Sequence, residues 1–320
     1  MQISISKSNI SPNVPLVPGI GGLEAVYEDI RRGRIAAGLE DLFDDLSVRR
    51  EDAPEAWPEF ARTCLHHPLR RLLHQDPFTY RAFSKPRGYA GDAVMMDYIY
   101  GLGEASTAAR GATPLGRAIF AHMATRPSAS AVRYRRHLLA TLIDRTAARG
   151  GDAVFALAAG HLREVELSGA VQNGQITSFV AMDQDTASLT VVARDYARLG
   201  ISAVSGSVRH ILSGTAQPGA FDFVYAAGLF DYLGTPVATA LTCKLFDMTR
   251  SGGMLLIPNF KTGAPDTGYM EAFMDWRLIY RHHDDMRALA ASLPADRVAD
   301  FEIFDDDDDA ITFLLVSKSL

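Results

Sequence analysis

The residues with the clearest chemical potential follow apolar runs in the second half of the chain. One run, ending at Leu157, leads into a turn that contains Gly160, and the next run ends at Asp183. A glycine turn lets backbone approach a ligand, and a carboxylate one strand over can accept hydrogen bonds from ribose hydroxyls. Dinucleotide sites place three glycines in such a turn, so that backbone amides reach the pyrophosphate. The single glycine here favours a nucleoside ligand without a phosphate.

S-adenosylmethionine is the cofactor that fits this pattern, and we expect its parts to lie along successive turns. The first turn would hold the methionine and ribose, and Asp183 would bind the ribose, with Asp185 as an alternative ligand or as the cap of the next helix. Val208 offers apolar area to an adenine. The predicted cofactor-binding residues are Ala158, Gly160, His161, Glu164, Asp183, Gln184, Ser207, Val208 and Ala227.

Three polar residues are candidates for catalysis. Asp231 and Tyr232 interrupt the apolar stretch FDFVYAAGLFDYL, and Tyr89 lies in the turn-rich segment SKPRGYAGDA. Polar residues in an apolar stretch suggest a functional site. The alternative, which the sequence supports equally, is that Asp231 caps a helix and Tyr232 packs in the core. We expect the segment around Tyr89 to form a lid over cofactor and acceptor; the alternative is a structural turn between two helices.

An acceptor pocket is predicted from the lid and from the segments after the fifth strand. Arg277 would pair with an acceptor carboxylate, or else form a surface ion pair with Asp275 or Asp284. Aromatic residues at helical spacing, as in this segment, also occur as core stripes. The predicted substrate-binding residues are Arg87, Asn259, Tyr269, Trp276, Arg277 and Tyr280.

Metal binding is not expected. The cluster His282–Asp285 and the pair His66–His67 consist of adjacent residues, which point in different directions on a helix. The acidic run Asp305–Asp309 lacks the spacing of a calcium loop and is interpreted as a solvated hairpin turn. Two distant cysteines, Cys64 and Cys243, allow neither a disulfide framework nor a four-thiolate site.

The overall charge balance limits the partners. The length of 320 residues and the hydrophobic fraction of 48% predict a globular protein. The net charge of −6 argues against a nucleic-acid partner, which usually requires a basic surface. The basic cluster Arg133, Arg135, Arg136 and His137 is interpreted as a solvated helix face. No signal-peptide pattern and no apolar run of about 20 residues is present, so we expect a cytoplasmic monomer or homodimer without integral membrane contact.

The elements that position these residues fall into two parts. Residues 1–20 are predicted to be a loose arm, 21–130 a helical cap or substrate domain, and 131–320 the cofactor-binding domain. Strand-like runs alternate with helical ones after residue 150, which predicts an α/β, Rossmann-like, mostly parallel sheet. Two runs around the acidic turn predict a C-terminal antiparallel hairpin. This is the architecture expected of a class I methyltransferase.

From about residue 80 to its end, the chain resembles a bacterial family of class I methyltransferases, the extracellular-factor 3-hydroxypalmitic acid methyl ester biosynthesis proteins. The shared strings are KPRGYAGDAVMM, AAGHLRE, MDQD, GSVR, AGLFDYL, SGGMLLIPNF and WRLIYR. Ala159 and His161 depart from the cysteine or small residue and the proline expected there. The resemblance implies methyl transfer from S-adenosylmethionine to a small molecule, with the carboxylate of a hydroxy fatty acid as acceptor.

Two other functions and a second acceptor class stay open at this point. A nicotinamide-dependent dehydrogenase would need more glycines in the first turn, and a non-catalytic binding protein would not need an intact site. An N-methylated amino acid or natural product competes with the fatty acid. A carboxylate needs no general base, whereas an amine or hydroxyl would need one, with Tyr89, Asp231 or Glu271 as candidates.

Overall fold

The computed structural model describes residues 20–320, so the arm predicted for the first residues lies outside the described part, apart from Ile20. The first half of this part is helical, as the three- and four-residue spacing of its apolar residues predicts. Its helices are α1 Ile20–Arg31, α2 Ile35–Asp52, α3 Trp57–His66, α4 Leu69–Leu73, α5 Pro77–Ser84, α6 Ala93–Tyr100, α7 Gly103–Gly111, α8 Pro114–Met123 and α9 Pro127–Ala148.

Buried carboxylates cap the two helices on either side of the loop formed by residues 85–92. Asp76 caps α5 by accepting the backbone N–H groups of Phe78 and Thr79, each at 3.0 Å. Asp92 caps α6 in the same way and also accepts two hydrogen bonds from Arg81, at 2.9 and 2.7 Å. Capping satisfies amides that the first turn of a helix leaves free, so both helix starts are well defined.

The second half forms one seven-stranded sheet of order β3-β2-β1-β4-β5-β7-β6. The strands are β1 Ala153–Leu157, β2 Ser178–Asp183, β3 Ile201–Ser205, β4 Phe221–Tyr225, β5 Thr249–Phe260, β6 Val298–Asp305 and β7 Ile311–Lys318. The first five strands run parallel, and β7 pairs antiparallel with both β5 and β6. The predicted α/β sheet with a C-terminal antiparallel hairpin is confirmed.

Helices cover both faces of this sheet, and apolar residues are buried on each side. They are α10 Gly169–Gln172, α11 Thr186–Tyr196, α12 Val208–Leu212, α13 Thr235–Met248, α14 Thr267–Phe273 and α15 His283–Ala291. α14 packs against α2 and α3, so the segment after β5 joins the N-terminal helical layer. α9 runs without interruption across residue 130, and the predicted division into domains stays a prediction.

A 3-10 helix, Arg163–Glu166, follows the Gly160 turn. The backbone of the preceding residue, Leu162, is left-handed, with φ 54° and ψ 40°, and this geometry does not continue into an α-helix. Within residues 20–320, no helix is both long and apolar enough to cross a membrane.

Candidate active site

A cavity of about 520 Å³ lies beyond the carboxyl ends of β1, β2 and β4. Open α/β sheets bind ligands at this edge, and the volume is in the usual range for small-molecule sites. Most of the predicted site residues lie together in its wall: Arg87, Tyr89, Ala158, Gly160, His161, Glu164, Asp183, Gln184, Ser207, Val208, Ala227, Asp231, Tyr232 and Trp276.

The turn after β1 has an unusual backbone. Ala158, Gly160 and Leu162 all have positive φ, at 54°, 56° and 54°. Only Gly160 adopts this conformation without steric cost; a non-glycine residue is strained by about 1 kcal/mol or more. Every second residue of the turn therefore has a left-handed backbone, and at Ala158 and Leu162 other contacts must stabilise this conformation.

Asp183 provides one of these contacts. At the end of β2, its Oδ2 accepts the backbone N–H of Gly160 at 2.8 Å, and its Oδ1 accepts that of Asp185 at 2.8 Å. Burial raises the pKa of Asp183 above its ordinary value, and the backbone hydrogen bonds oppose that rise. Each carboxylate oxygen has a second lone pair, so Asp183 can hold the turn and still accept from a ligand.

Asp185 has a different role from Asp183. Its Oδ1 accepts the N–H of Ala187 at 3.0 Å and so caps α11, which was one of the two roles considered for it. Its Oδ2 accepts from Arg87 at 2.7 Å, and Arg87 also donates to Ser188 Oγ at 2.8 Å. Arg87 therefore ties the loop 85–92 to α11 across the cavity mouth.

His161 belongs to a buried ionic network that the sequence did not indicate. Its Nδ1 lies 2.8 Å from Asp97 Oδ2, and Arg163 donates to both oxygens of Asp97, at 2.9 and 3.0 Å. Burial opposes ionisation of Asp97, but the hydrogen bonds from His161 and Arg163 outweigh it and hold its pKa below the ordinary value. This network fastens the β1 turn to α6.

Asp231 and Tyr232 form a 3-10 helix after β4, together with Phe230. Asp231 caps no helix: one of its oxygens accepts the backbone N–H of Phe260 at 2.6 Å. Burial raises the pKa of Asp231 to about 6. The Tyr232 hydroxyl accepts a hydrogen bond from Trp276 Nε1 at 2.9 Å, and burial raises its pKa as well.

The remaining predicted residues in the wall have less marked contacts. Glu164 is buried and accepts a hydrogen bond from the Tyr225 hydroxyl, while burial raises its pKa. Tyr89 is half-buried, and burial together with the negative charge of Asp183 raises its pKa. Ser207 caps α12 in a capping box with His210.

The structure does not bring four predicted substrate-binding residues to the cavity. Tyr269 is fully buried, stacks on Phe43 at 4.8 Å, and bonds Thr79 Oγ1 at 3.1 Å. Asn259 is also buried, and its amide donates to the backbone carbonyls of Phe260 and Ile279.

Arg277 and Tyr280 lie outside the cavity wall. The Arg277 side chain is 45% exposed and lies 4.0 Å from Asp275, as the surface ion-pair alternative suggested. The Tyr280 ring packs under the guanidinium of Arg50 at 5.1 Å. Because these four side chains are engaged elsewhere, Trp276 and Arg87 are the predicted substrate-binding residues that the cavity wall contains.

The sequence interpretation also missed the wall that the N-terminal helices supply. The basic cluster on α9 is not a solvated face: Arg135 is only 6% exposed and lines the cavity, and Arg136 donates to Glu166 Oε2 at 2.7 Å. Val132, Arg135 and Leu139 are spaced three and four residues apart, so they share one helix face. This spacing was the available signal. The apolar wall comprises Met96, Tyr100, Val132, Leu139, Phe260 and Leu278.

No three His, Cys, Asp or Glu side chains within residues 20–320 are grouped so as to hold a metal ion. Among the earlier candidates, His282 caps α15, and His283 Nε2 lies 2.8 Å from Asp305.

Comparison with known proteins shows the fold. No family model matches the chain, and no curated protein matches it. A crystal structure of a possible exported protein from Bordetella parapertussis is similar, with 16% identity, a TM-score of 0.60, and coverage of 83% of this chain and 95% of that one. A crystal structure of magnesium protoporphyrin IX methyltransferase from Synechocystis PCC 6803 has 12% identity and a TM-score of 0.47, and the match covers 75% of this chain and 98% of that one. A crystal structure of the N-methyltransferase NodS from Bradyrhizobium japonicum WM9 has 12% identity and a TM-score of 0.43, and the match covers 58% of this chain and 87% of that one.

Proposed function

We propose that this protein transfers a methyl group from S-adenosylmethionine to a small molecule. The observation that carries the proposal is the turn after β1, closed by the hydrogen bond from Gly160 N–H to Asp183 at 2.8 Å. A 3-10 helix follows this turn, in place of the long helix whose N-terminus binds pyrophosphate in dinucleotide sites. The geometry thus suits a nucleoside without phosphates and argues against a nicotinamide cofactor.

The residues present fit such a cofactor. Asp183 is positioned to accept from ribose hydroxyls, and Val208 and Ser207 lie beyond β3, where an adenine would rest. Ala158 and Ala227 supply backbone at the ends of β1 and β4 for the methionine part. The cofactor supplies an electrophilic methyl group, so the protein chiefly aligns the acceptor and excludes water.

For the acceptor, we propose the carboxylate of a hydroxy fatty acid. The apolar wall provides surface for an alkyl chain. A carboxylate is already ionised near neutral pH and needs no proton removed. An N-methyl acceptor would need a base, and Asp231, whose pKa burial raises to about 6, is the candidate in the wall. We also propose that the protein acts in the cytoplasm as a monomer or homodimer.

The test is calorimetric titration of S-adenosylhomocysteine and of NAD into the wild type and Asp183→Ala. We expect micromolar binding of S-adenosylhomocysteine and none of NAD. Two hydrogen bonds from ribose hydroxyls to a carboxylate contribute about 1.5–3 kcal/mol each, so the variant should bind at least about 100-fold more weakly.

A matched control separates ligand contact from support of the fold. Asp222 accepts the backbone N–H groups of Asp152 and Ala153, at 2.9 and 3.0 Å, at the opposite end of the sheet. Asp222→Ala thus removes two similar backbone hydrogen bonds, together with an ion pair to Arg250 at 2.9 Å, without touching the cavity. It should retain the wild-type affinity. Equal losses in both variants, or tighter binding of NAD than of S-adenosylhomocysteine, would contradict the proposal.

A further inference from the structure

Arg135 is a buried cation in the wall of the cavity. It lies in the middle of α9, is 6% exposed, and shares a helix face with the apolar residues Val132 and Leu139. Arginine is rarely buried to this extent without a partner, because removing a charge from water costs several kcal/mol.

Within residues 20–320, no carboxylate forms an ion pair with this guanidinium, and its charge acts on Glu164 and Asp231 only at longer range. Its Nη2 donates to the thioether sulfur of Met96 at 3.5 Å, which is a weak acceptor, and the guanidinium also faces the Tyr100 hydroxyl. The two other arginines in the wall are paired: Arg87 with Asp185 at 2.7 Å, and Arg163 with Asp97 at 2.9 Å.

The carboxylates that line the same cavity are engaged elsewhere. Asp183 accepts from the Gly160 backbone, Glu164 from the Tyr225 hydroxyl, and Asp231 from the Phe260 backbone. None of them forms an ion pair with Arg135. The cavity therefore presents one buried positive charge with donor groups to spare.

We infer that Arg135 binds a carboxylate group of a ligand in this cavity. The planar guanidinium donates two parallel hydrogen bonds to the two oxygens of a carboxylate, and in a site shielded from water this contact is stronger than at the surface. The inference rests on the proposed function, which offers two sources of the carboxylate: the amino-acid part of the cofactor and the methyl acceptor.

Binding measurements on Arg135→Met and Arg135→Lys distinguish these sources. For the cofactor, S-adenosylhomocysteine is compared with 5′-methylthioadenosine, which lacks the amino-acid part. For the acceptor, decanoate is compared with decanamide in the presence of saturating S-adenosylhomocysteine. Arg136→Met is the control, because Arg136 pairs with Glu166 outside the cavity wall.

If the cofactor supplies the carboxylate, Arg135→Met weakens S-adenosylhomocysteine by about 10- to 100-fold and leaves 5′-methylthioadenosine unchanged. If the acceptor supplies it, the wild type prefers decanoate to decanamide, and the variant loses that preference by a similar factor. Arg135→Lys keeps the positive charge but not the two parallel N–H donors, so the loss of affinity should be partial in either case. The inference is overturned if Arg135→Met alters neither ratio of affinities.

Thermal unfolding supplies a readout that does not depend on any ligand. Because an unpaired buried charge destabilises the fold, Arg135→Met should unfold at a higher temperature than the ligand-free wild type. A lower unfolding temperature together with unchanged affinity ratios would assign Arg135 a purely structural role and overturn the inference. If the wild type binds neither S-adenosylhomocysteine nor 5′-methylthioadenosine, the proposed cofactor is refuted. The unfolding measurement needs no ligand, so it tests Arg135 separately from the proposed cofactor.

Discussion

Gly91 tests how the loop 85–92 closes the cavity. A methyl group added at this position would lie 2.6 Å from Cζ2 of Trp276 and 2.6 Å from the hydroxyl of Tyr232. These two side chains are joined by the hydrogen bond from Trp276 Nε1 to the Tyr232 hydroxyl, at 2.9 Å. The loop therefore packs its backbone directly onto this pair, and Gly91→Ala should force them apart.

The expected cost follows from these contacts. Ordinary carbon contacts are about 3.5–4.0 Å, so relief of the clash needs movements of close to 1 Å. Overpacking of this kind costs about 1–3 kcal/mol, and loss of the hydrogen bond adds about 1 kcal/mol. Replacing glycine by alanine recovers about 0.4–1 kcal/mol through the unfolded chain. The net destabilisation should be about 2 kcal/mol, which corresponds to a fall of about 3 °C in Tm for a chain of this length.

Differential scanning calorimetry of Gly91→Ala measures this shift. Gly111→Ala is the matched control, because an added methyl group there meets no atom within 4 Å and the position has no positive φ. The control should equal or slightly exceed the wild-type Tm. A Gly91→Ala variant that unfolds together with the control would refute the close docking of the loop on Trp276 and Tyr232.

Two further predictions concern titratable groups. Burial raises the folded pKa of Asp231 to about 6, above its unfolded value, so its contribution to stability is present at low pH and lost as pH rises through about 6. The unfolding free energy of Asp231→Asn minus that of wild type should therefore rise between about pH 4 and pH 7, by about 3 kcal/mol at most, in denaturant titrations; a constant difference contradicts this. Burial also raises the pKa of the Cys64 thiol to about 12, whereas Cys243 is partly exposed, so a thiol reagent should modify Cys243 in the native protein and both after denaturation. Fast native modification of Cys64 would show that α3 is less tightly packed than described.

The sheet was predictable because each strand carries its own local signal. β1, β2, β4 and β5 are apolar runs bounded by turns, as expected of strands buried on both faces. The change to antiparallel pairing was visible in the acidic turn, where Asp306 accepts the backbone N–H groups of Asp308 and Ala310 at 2.9 and 3.0 Å. Such features depend on neighbours in sequence, so they need no knowledge of the tertiary structure.

The acceptor side of the cavity was not predictable in the same way. Tyr269 follows β5 and Asn259 lies near its end, which made both polar residues candidates. Their polar atoms are instead occupied by partners on α5, on β5 and in the segment before α15. Conversely, Arg135 was grouped with its neighbours as surface charge. Its burial depends on how α9 packs against the sheet. The clustering of charged residues in the sequence does not predict that packing.

The β1 turn joins the two halves of the protein. Ala158 and Leu162 adopt left-handed backbone without the freedom of glycine, and this costs about 1 kcal/mol or more at each residue. Strain of this size persists only where other contacts fix the chain, and here Asp183 holds the turn from β2 while Asp97 holds it from α6. Because α6 belongs to the N-terminal helical layer, that layer helps to shape the proposed cofactor turn as well as to cover it. The non-glycine residues Ala158 and Leu162 and the buried carboxylate on α6 therefore form one arrangement, in which tertiary contacts hold a backbone conformation that glycine would adopt freely.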